Sequence, residues 1–195
     1  MKRPFGVVVA SKNADKIAEV EAVLADLEPP LPVIPGHVWE DIEETEDTLA
    51  GNALLKARAV AAATSHAAVA DDTGLEVDAL GGAPGVTTAR YAGESATYDE
   101  NVDKMLAEME GAVDRAARFR TAVALVTPSG EELVVEGVLD GSIGTERRGD
   151  DGFGYDPIFI VDGRTLAEIP LEEKNLISHR AVALRALAAE LNTPT

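Results

Sequence analysis

Apolar positions along the chain follow two spacings, one of strands and one of helices. Phe5-Gly-Val-Val-Val-Ala10 is a short continuous apolar run and predicts a buried strand. Ile17, Val20, Leu24 and Leu27 then fall on one helical face, with Asn13 standing where a cap belongs. The stretch Glu28-Pro-Pro-Leu-Pro32 ends that helix, and Val33-Ile34 begins a second short strand. An acidic loop, Glu40 to Asp47, follows. From Thr48 to Ala63, Leu49, Ala53, Ala57, Val60 and Ala61 share one face, while Thr48, Asn52 and Lys56 make a polar stripe on another, suited to face a site.

Ala67-Ala-Val-Ala70 has strand character and breaks into Asp71-Asp72-Thr73-Gly74, which predicts two carboxylates at the C-terminal end of a strand, where ligands of α/β sheets gather. Gly81-Gly-Ala-Pro-Gly85 reads as a loop, and Val102, Met105, Leu106 and Met109 mark an amphipathic helix. Thr121 to Val126 and Leu133 to Leu139 flank Thr127-Pro-Ser-Gly-Glu131 and predict an antiparallel hairpin, so the sheet is mixed. Gly149 to Pro157 is a second glycine-rich loop. Ser178 reads as the cap of a last helix whose buried stripe is Ala181, Leu184, Ala188 and Leu191. No repeat or linker interrupts the pattern, which predicts a single domain over residues 1–195.

Composition narrows the chemistry. The chain has 195 residues, 46% of them apolar, yet no apolar run approaches the ~20 residues that span a bilayer, and Met1-Lys2-Arg3 leads into no signal-type stretch. The reading is a soluble, cytoplasmic protein that does not enter a membrane. With no cysteine and three histidines, a metal would be held by oxygen ligands. A formal net charge of -18 argues against a nucleic-acid polymer as partner. A small phosphorylated ligand remains compatible with it, because a few converging cations and a divalent metal suffice.

Four constellations carry candidate chemistry. Ser11-Lys-Asn-Ala-Asp-Lys16 joins strand to helix with two lysines near a helix N-terminus, an arrangement that suits an anion but also describes a plain capped turn. The acidic set Glu43, Glu44, Asp47, Asp71, Asp72, Glu76 and Asp78 includes ordinary surface charge. Asp71-Asp72 stands apart, since adjacent like charges after an apolar strand need a cation or donors, and magnesium favours such oxygens. Gly152-Phe-Gly-Tyr-Asp-Pro157 offers either a ligand-stacking loop or a tight turn with its rings in the core. Lys174 with Ser178-His179-Arg180 puts cations at a helix start, where the dipole disfavours them, which points Arg180 at a ligand.

In this order the segments resemble the inosine triphosphate pyrophosphatase family, house-cleaning enzymes for deaminated purine nucleotides. Four blocks carry the likeness: Ala10 to Glu19, Glu43 to Ala57, Ala70 to Tyr91, and Gly152 to Pro157 followed by Glu173-Lys-Asn-Leu-Ile-Ser-His-Arg180. The resemblance implies an elongated α/β fold with a central mixed twisted sheet flanked by helices, an active-site cleft between two lobes, and a homodimer. It implies hydrolysis of ITP, dITP and XTP to monophosphate and pyrophosphate with Mg2+ as cofactor. Ser11, Lys12, Asn13, Ala14, Asp15 and Lys16 would hold the triphosphate and Lys56 a phosphate. Glu44 and Asp72 would hold the metal, with Asp72 also catalytic. Thr73, Phe153, Gly154, Tyr155, Asp156, Lys174, His179 and Arg180 would line the nucleoside pocket.

The chain departs from the family pattern where Gly51 stands for a usual Glu and Leu49 for an aromatic, which shifts acidic work onto Glu44, Asp71 or Glu76. Thr73 replaces a common Ser, Thr87-Thr88 replaces Tyr-Ser, and Asp150-Asp151 adds charge beside the Gly-Phe-Gly loop. Arg180 or Lys174 beside a 6-oxo group would favour inosine and xanthine over adenine. Two rivals remain: a Maf-like pyrophosphatase for other modified nucleotides, which the Ser-His-Arg block disfavours, and a non-catalytic nucleotide-binding module.

Overall fold

The structure, a computed structural model, describes residues 1–193. Its strands are β1 (Val8–Val9), β2 (Ala68–Val77), β3 (Pro84–Gly85), β4 (Ala116–Val126), β5 (Glu132–Ile143), β6 (Phe159–Val161) and β7 (Arg164–Thr165). The helices are α1 (Ala14–Ala25), α2 (Leu49–Thr64), α3 (Tyr98–Glu108), α4 (Leu171–Ile177) and α5 (His179–Asn192). The sheet is mixed, as expected, with the order β1-β2-β4-β5-β6-β7 and β3 paired to β2. β1 runs parallel to β2 with Val8 opposite Ala68, and β3 is antiparallel to β2 with Leu75 opposite Gly85. β5, β6 and β7 pair antiparallel in succession, Ile143 facing Phe159 and Ile160 facing Thr165.

Several local expectations take a different form. The second short strand is a single parallel bridge from Val33 to Val7. Pro32 and Pro35 bracket it and supply no N–H to extend a ladder. β2 does not end at Asp71-Asp72 but runs on to Val77, so both carboxylates sit within a strand, where cationic side chains compensate them. The hairpin strands β4 and β5 are longer than their apolar runs and are joined by a turn in which Gly130 N–H donates to the Thr127 carbonyl. Helix α4 ends at Ile177, and Ser178 alone separates it from α5. At seven residues with Pro170 before it, α4 is too short to announce itself by periodicity.

The chain's contacts fall into two compact units. The first comprises residues 1–72, 121–137 and 179 onward, and its core gathers Val7, Val9, Val20, Leu24, Val69, Val123, Leu125, Leu184 and Leu187. Within it α1 lies against α5. The second comprises residues 73–120 and 138–178 around Leu75, Val77, Met105, Phe119, Phe159 and Leu166. In its core the Phe119 and Phe159 rings lie 4.6 Å apart at a tilted angle. Among the described residues, no helix is long and apolar enough to cross a membrane.

Candidate active site

In the first unit, strand β2 and helix α2 bring the acidic residues and their cations together. Thr48 caps α2 by accepting from the Gly51 N–H, and the small buried face of Ala53, Ala57 and Ala61 seats the helix. From the adjacent polar stripe, Asn52 and Lys56 reach Asp72. Lys56 Nζ stands 2.5 Å from Glu44 Oε1 and 3.5 Å from Asp72 Oδ1, so one ammonium bridges the two carboxylates. Asn52 Nδ2 donates to Asp72 Oδ2 at 3.2 Å. Burial raises the Asp72 carboxyl above its ordinary value and Glu44 adds to the rise, against the pull of Lys56, Lys16 and the Asn52 amide. Lys56 holds its proton more tightly than a free lysine: burial opposes the charge, but Asp72, Asp71 and Glu44 outweigh it.

Asp71 pairs directly with Arg180 and Lys16. Arg180 donates to Asp71 Oδ2 through Nε at 3.2 Å and Nη2 at 3.1 Å, and its Nη1 donates to Glu19. Lys16 Nζ lies 3.4 Å from the same Asp71 oxygen. Burial alone would raise the Asp71 carboxyl, yet Lys16 and Arg180 hold it far below the ordinary carboxylate range. Arg180 is 2% exposed. The expectation that local stability leaves Arg180 unexplained is therefore corrected: its guanidinium meets two buried carboxylates, which offset the unfavourable helix dipole. A base would have to displace these partners.

The loop before α1 has the expected cap, with Asn13 Oδ1 accepting from the N–H groups of Asp15 and Lys16. Ser11 Oγ in turn accepts from the Asn13 N–H. Ala14 and Asp15 form the exposed first turn, and Lys12 pairs with Asp41 on the surface. A cavity of about 340 Å³ borders Ser11 and Lys12, Ile17 and the segment Val33–Trp39, but none of Glu44, Lys56, Asp71 or Asp72 lines it. Of the wider acidic set, Glu43 and Asp47 are exposed. Glu76 pairs with Arg120 and Arg118, and Asp78 with Arg118, in the second unit.

The second unit holds the glycine-rich loop. Asp156 Oδ2 accepts from the Phe153 N–H at 2.9 Å and from Lys174 Nζ at 2.6 Å. Lys174, 3% exposed on α4, also stands 5.0 Å over the Phe153 ring, a cation–π distance. Gly152 makes this turn feasible, since its φ is +78° and a Cβ there would meet Asp156 Oδ2 at 2.2 Å. Of the two aromatics, Phe153 is half-buried beside Tyr98. Tyr155 belongs to the core, 4% exposed, its hydroxyl donating to the Thr88 carbonyl. The tight-turn reading thus holds for Tyr155. Thr73 is half-buried in β2, and His179 opens α5 with its side chain buried.

Two contacts escaped the sequence reading. Glu19 is buried on α1, and its signal was a carboxylate flanked by the apolar positions Val20 and Val23. Asn52 lay on the polar stripe of α2, but its reach to Asp72 depends on a partner distant in sequence.

By its donor chemistry the first unit's carboxylate pair suits a small hard cation, and Glu44 and Asp72 would be the residues to hold it. Among the described residues no group of three or more carboxylate or imidazole side chains forms a closed metal cage. Magnesium, where it binds, keeps waters and takes phosphate oxygens besides its protein ligands.

Known proteins resemble this chain over most of its length. A dITP/XTP pyrophosphatase of Streptomyces coelicolor is 47% identical over 188 residues, covering 93% of this chain and 94% of the relative. One from Elusimicrobium minutum is 54% identical over 153 residues, with 76% and 78% covered. Among solved structures, a HAM1 protein from Coxiella burnetii aligns with a TM-score of 0.83 at 43% identity, over 96% of this chain and 98% of that one. The Ham1 protein of Staphylococcus aureus aligns with a TM-score of 0.81 at 39% identity, over 95% and 97%. A Ham1 family model matches residues 7–190, a span that takes in Glu44, Asp71 and Asp72, the glycine-rich loop and the Ser-His-Arg block alike, and the chain belongs to the Ham1 family.

Proposed function

We propose that this chain is a magnesium-dependent nucleoside triphosphate pyrophosphatase that hydrolyses ITP, dITP and XTP to the monophosphate and pyrophosphate, acting in the cytoplasm as a homodimer. The observation that carries the reading is the pair Glu44 and Asp72 bridged by Lys56 in a Ham1 chain whose relatives are dITP/XTP pyrophosphatases. Glu44 and Asp72 would hold the magnesium, which supplies neutralising charge to the phosphates when bound.

The chain's own residues do the rest. Asp72, held by Asn52 and Lys56, is suited to take a proton from the water that attacks the α-phosphorus in line. The new bond is from water oxygen to α-phosphorus, and the bond that breaks is the one to the bridging oxygen, which leaves with pyrophosphate. Lys56, Lys12 and Lys16 stabilise the charge that builds on the phosphates, with Ser11 and Asn13 shaping their loop. Phe153, Asp156 and Lys174 of the second unit serve the base: the ring offers a stacking face, and Lys174 a charged donor for a 6-oxo acceptor that adenine lacks. Asp71, fixed by Arg180 and Lys16, stays ionised beside Asp72.

The test is pyrophosphate release from ITP, XTP, dITP, GTP, ATP and 7-methyl-GTP with and without magnesium. Preference for the first three in the presence of the metal supports the proposal. Preference for 7-methyl-GTP would favour the Maf-like alternative, and no release from any of them a binding module.

A further inference from the structure

Asn52 is 1% exposed, on the face of α2 that meets Asp72. Its side chain makes two hydrogen bonds of opposite sense. Nδ2 donates to Asp72 Oδ2 at 3.2 Å, and Oδ1 accepts from the Glu46 backbone N–H at 3.0 Å. Reversing the amide would set its oxygen against a carboxylate and its NH2 against an N–H, so only this orientation satisfies both neighbours. Glu46 lies in the acidic loop two residues beyond Glu44. One turn further along α2, Lys56 contacts the other Asp72 oxygen and Glu44 itself. The helix therefore grips Asp72 and the loop at two successive rungs, one neutral and one charged.

Gly51 completes the grip. A Cβ at this position would meet Glu46 Cβ at 2.8 Å and Thr48 Oγ1 at 2.9 Å, so the loop approaches the helix as closely as it does because residue 51 has no side chain. Lys56 holds both carboxylates by charge, for which a bound phosphate would compete. Asn52 is neutral, buried and bonded at both ends, so it keeps its hold when Lys56 lets go.

We propose that Asn52 is a positioning residue that fixes the Asp72 carboxylate relative to the loop bearing Glu44, holding the two acidic side chains in register for the reaction. This rests on the pyrophosphatase reading above. Partners of this kind, which orient a ligating or catalytic carboxylate without touching substrate, set both metal affinity and turnover.

Asn52→Leu removes both hydrogen bonds at nearly constant volume. Asn52→Thr, the second variant should Leu fail to fold, leaves a hydroxyl near the Glu46 N–H but loses the amide that donates to Asp72. Thermal unfolding first establishes that each is folded. Steady-state hydrolysis of ITP is then compared with wild type, and Mn2+ affinity is measured by calorimetry without nucleotide. The expected result is a fall in kcat of about tenfold or more and a similar loss of Mn2+ affinity. KM for ITP should move by less than about threefold, since a misplaced reacting group costs turnover more than ground-state binding. Folded variants with kcat within about threefold of wild type and unchanged Mn2+ affinity would overturn the proposal and leave Asn52 a packing residue. If wild type itself fails to hydrolyse ITP, the pyrophosphatase reading falls, and the Mn2+ measurement still decides whether Asn52 orders the carboxylate pair.

Discussion

Arg180 is a fully buried cation whose cost of leaving water is met by Asp71 and Glu19. Replacing it with Met keeps bulk and removes charge, leaving both carboxylates buried. The expected loss is about 3–5 kcal/mol of unfolding free energy at neutral pH. Its pH dependence has a definite sign. Asp71 is held far below its ordinary value of 3.8, so the pairing stabilises fully above that value and is lost as pH falls beneath it. Urea denaturation should therefore show a large gap between wild type and Arg180→Met at about pH 7 that narrows at about pH 3. An equal gap at both would place the effect in packing. Asp72 differs in that its pKa is raised, so its burial brings strain rather than stability. Asp72→Asn should leave the fold intact and lower turnover by about two orders of magnitude, on the order of 3 kcal/mol. A folded mutant retaining more than about a tenth of wild-type activity would refute that role. Asp72 and Lys56 were legible in the sequence because a charged pair after an apolar strand and a lysine on a helical stripe both demand explanation. Glu19 and the inward turn of Arg180 were not, because their pairing joins residues 161 positions apart.

Among the elements, α1 and α2 follow their apolar stripes and caps closely, since Asn13 and Thr48 satisfy N–H groups that a helix start leaves open. β2 outran its prediction because the rule that charges end strands fails when cations from α1, α2 and α5 reach them. The acidic loop shows what a single missing side chain permits. In an exposed helix interior Gly→Ala usually stabilises by about 0.5–1 kcal/mol. At Gly51 the close approach of Glu46 and Thr48 reverses that expectation. Gly51→Ala should lower the unfolding midpoint rather than raise it, and should reduce kcat by displacing the loop that carries Glu44. A higher midpoint with unchanged turnover would show that the loop yields without cost.

For the whole molecule, the mixed sheet and α/β class were legible from alternating strand and helix spacings, while the residues at which the two contact units divide were not, because the boundaries fall inside the continuous strands β2, β4 and β5. The proposed metal dependence is tested by chelation: excess EDTA should abolish pyrophosphate release and added magnesium restore it, and full activity in EDTA would exclude a metal role. The proposed homodimer should sediment at about twice the 20.4 kDa of one chain, and a mass near 20.4 kDa would count against it. The reaction itself is read most directly from ITP hydrolysis in isotopically labelled water, with products resolved by mass spectrometry. One labelled oxygen in the inosine monophosphate and none in an equal amount of pyrophosphate is the expected result. Label in the pyrophosphate, or release of single phosphates in its place, would contradict attack at the α-phosphorus.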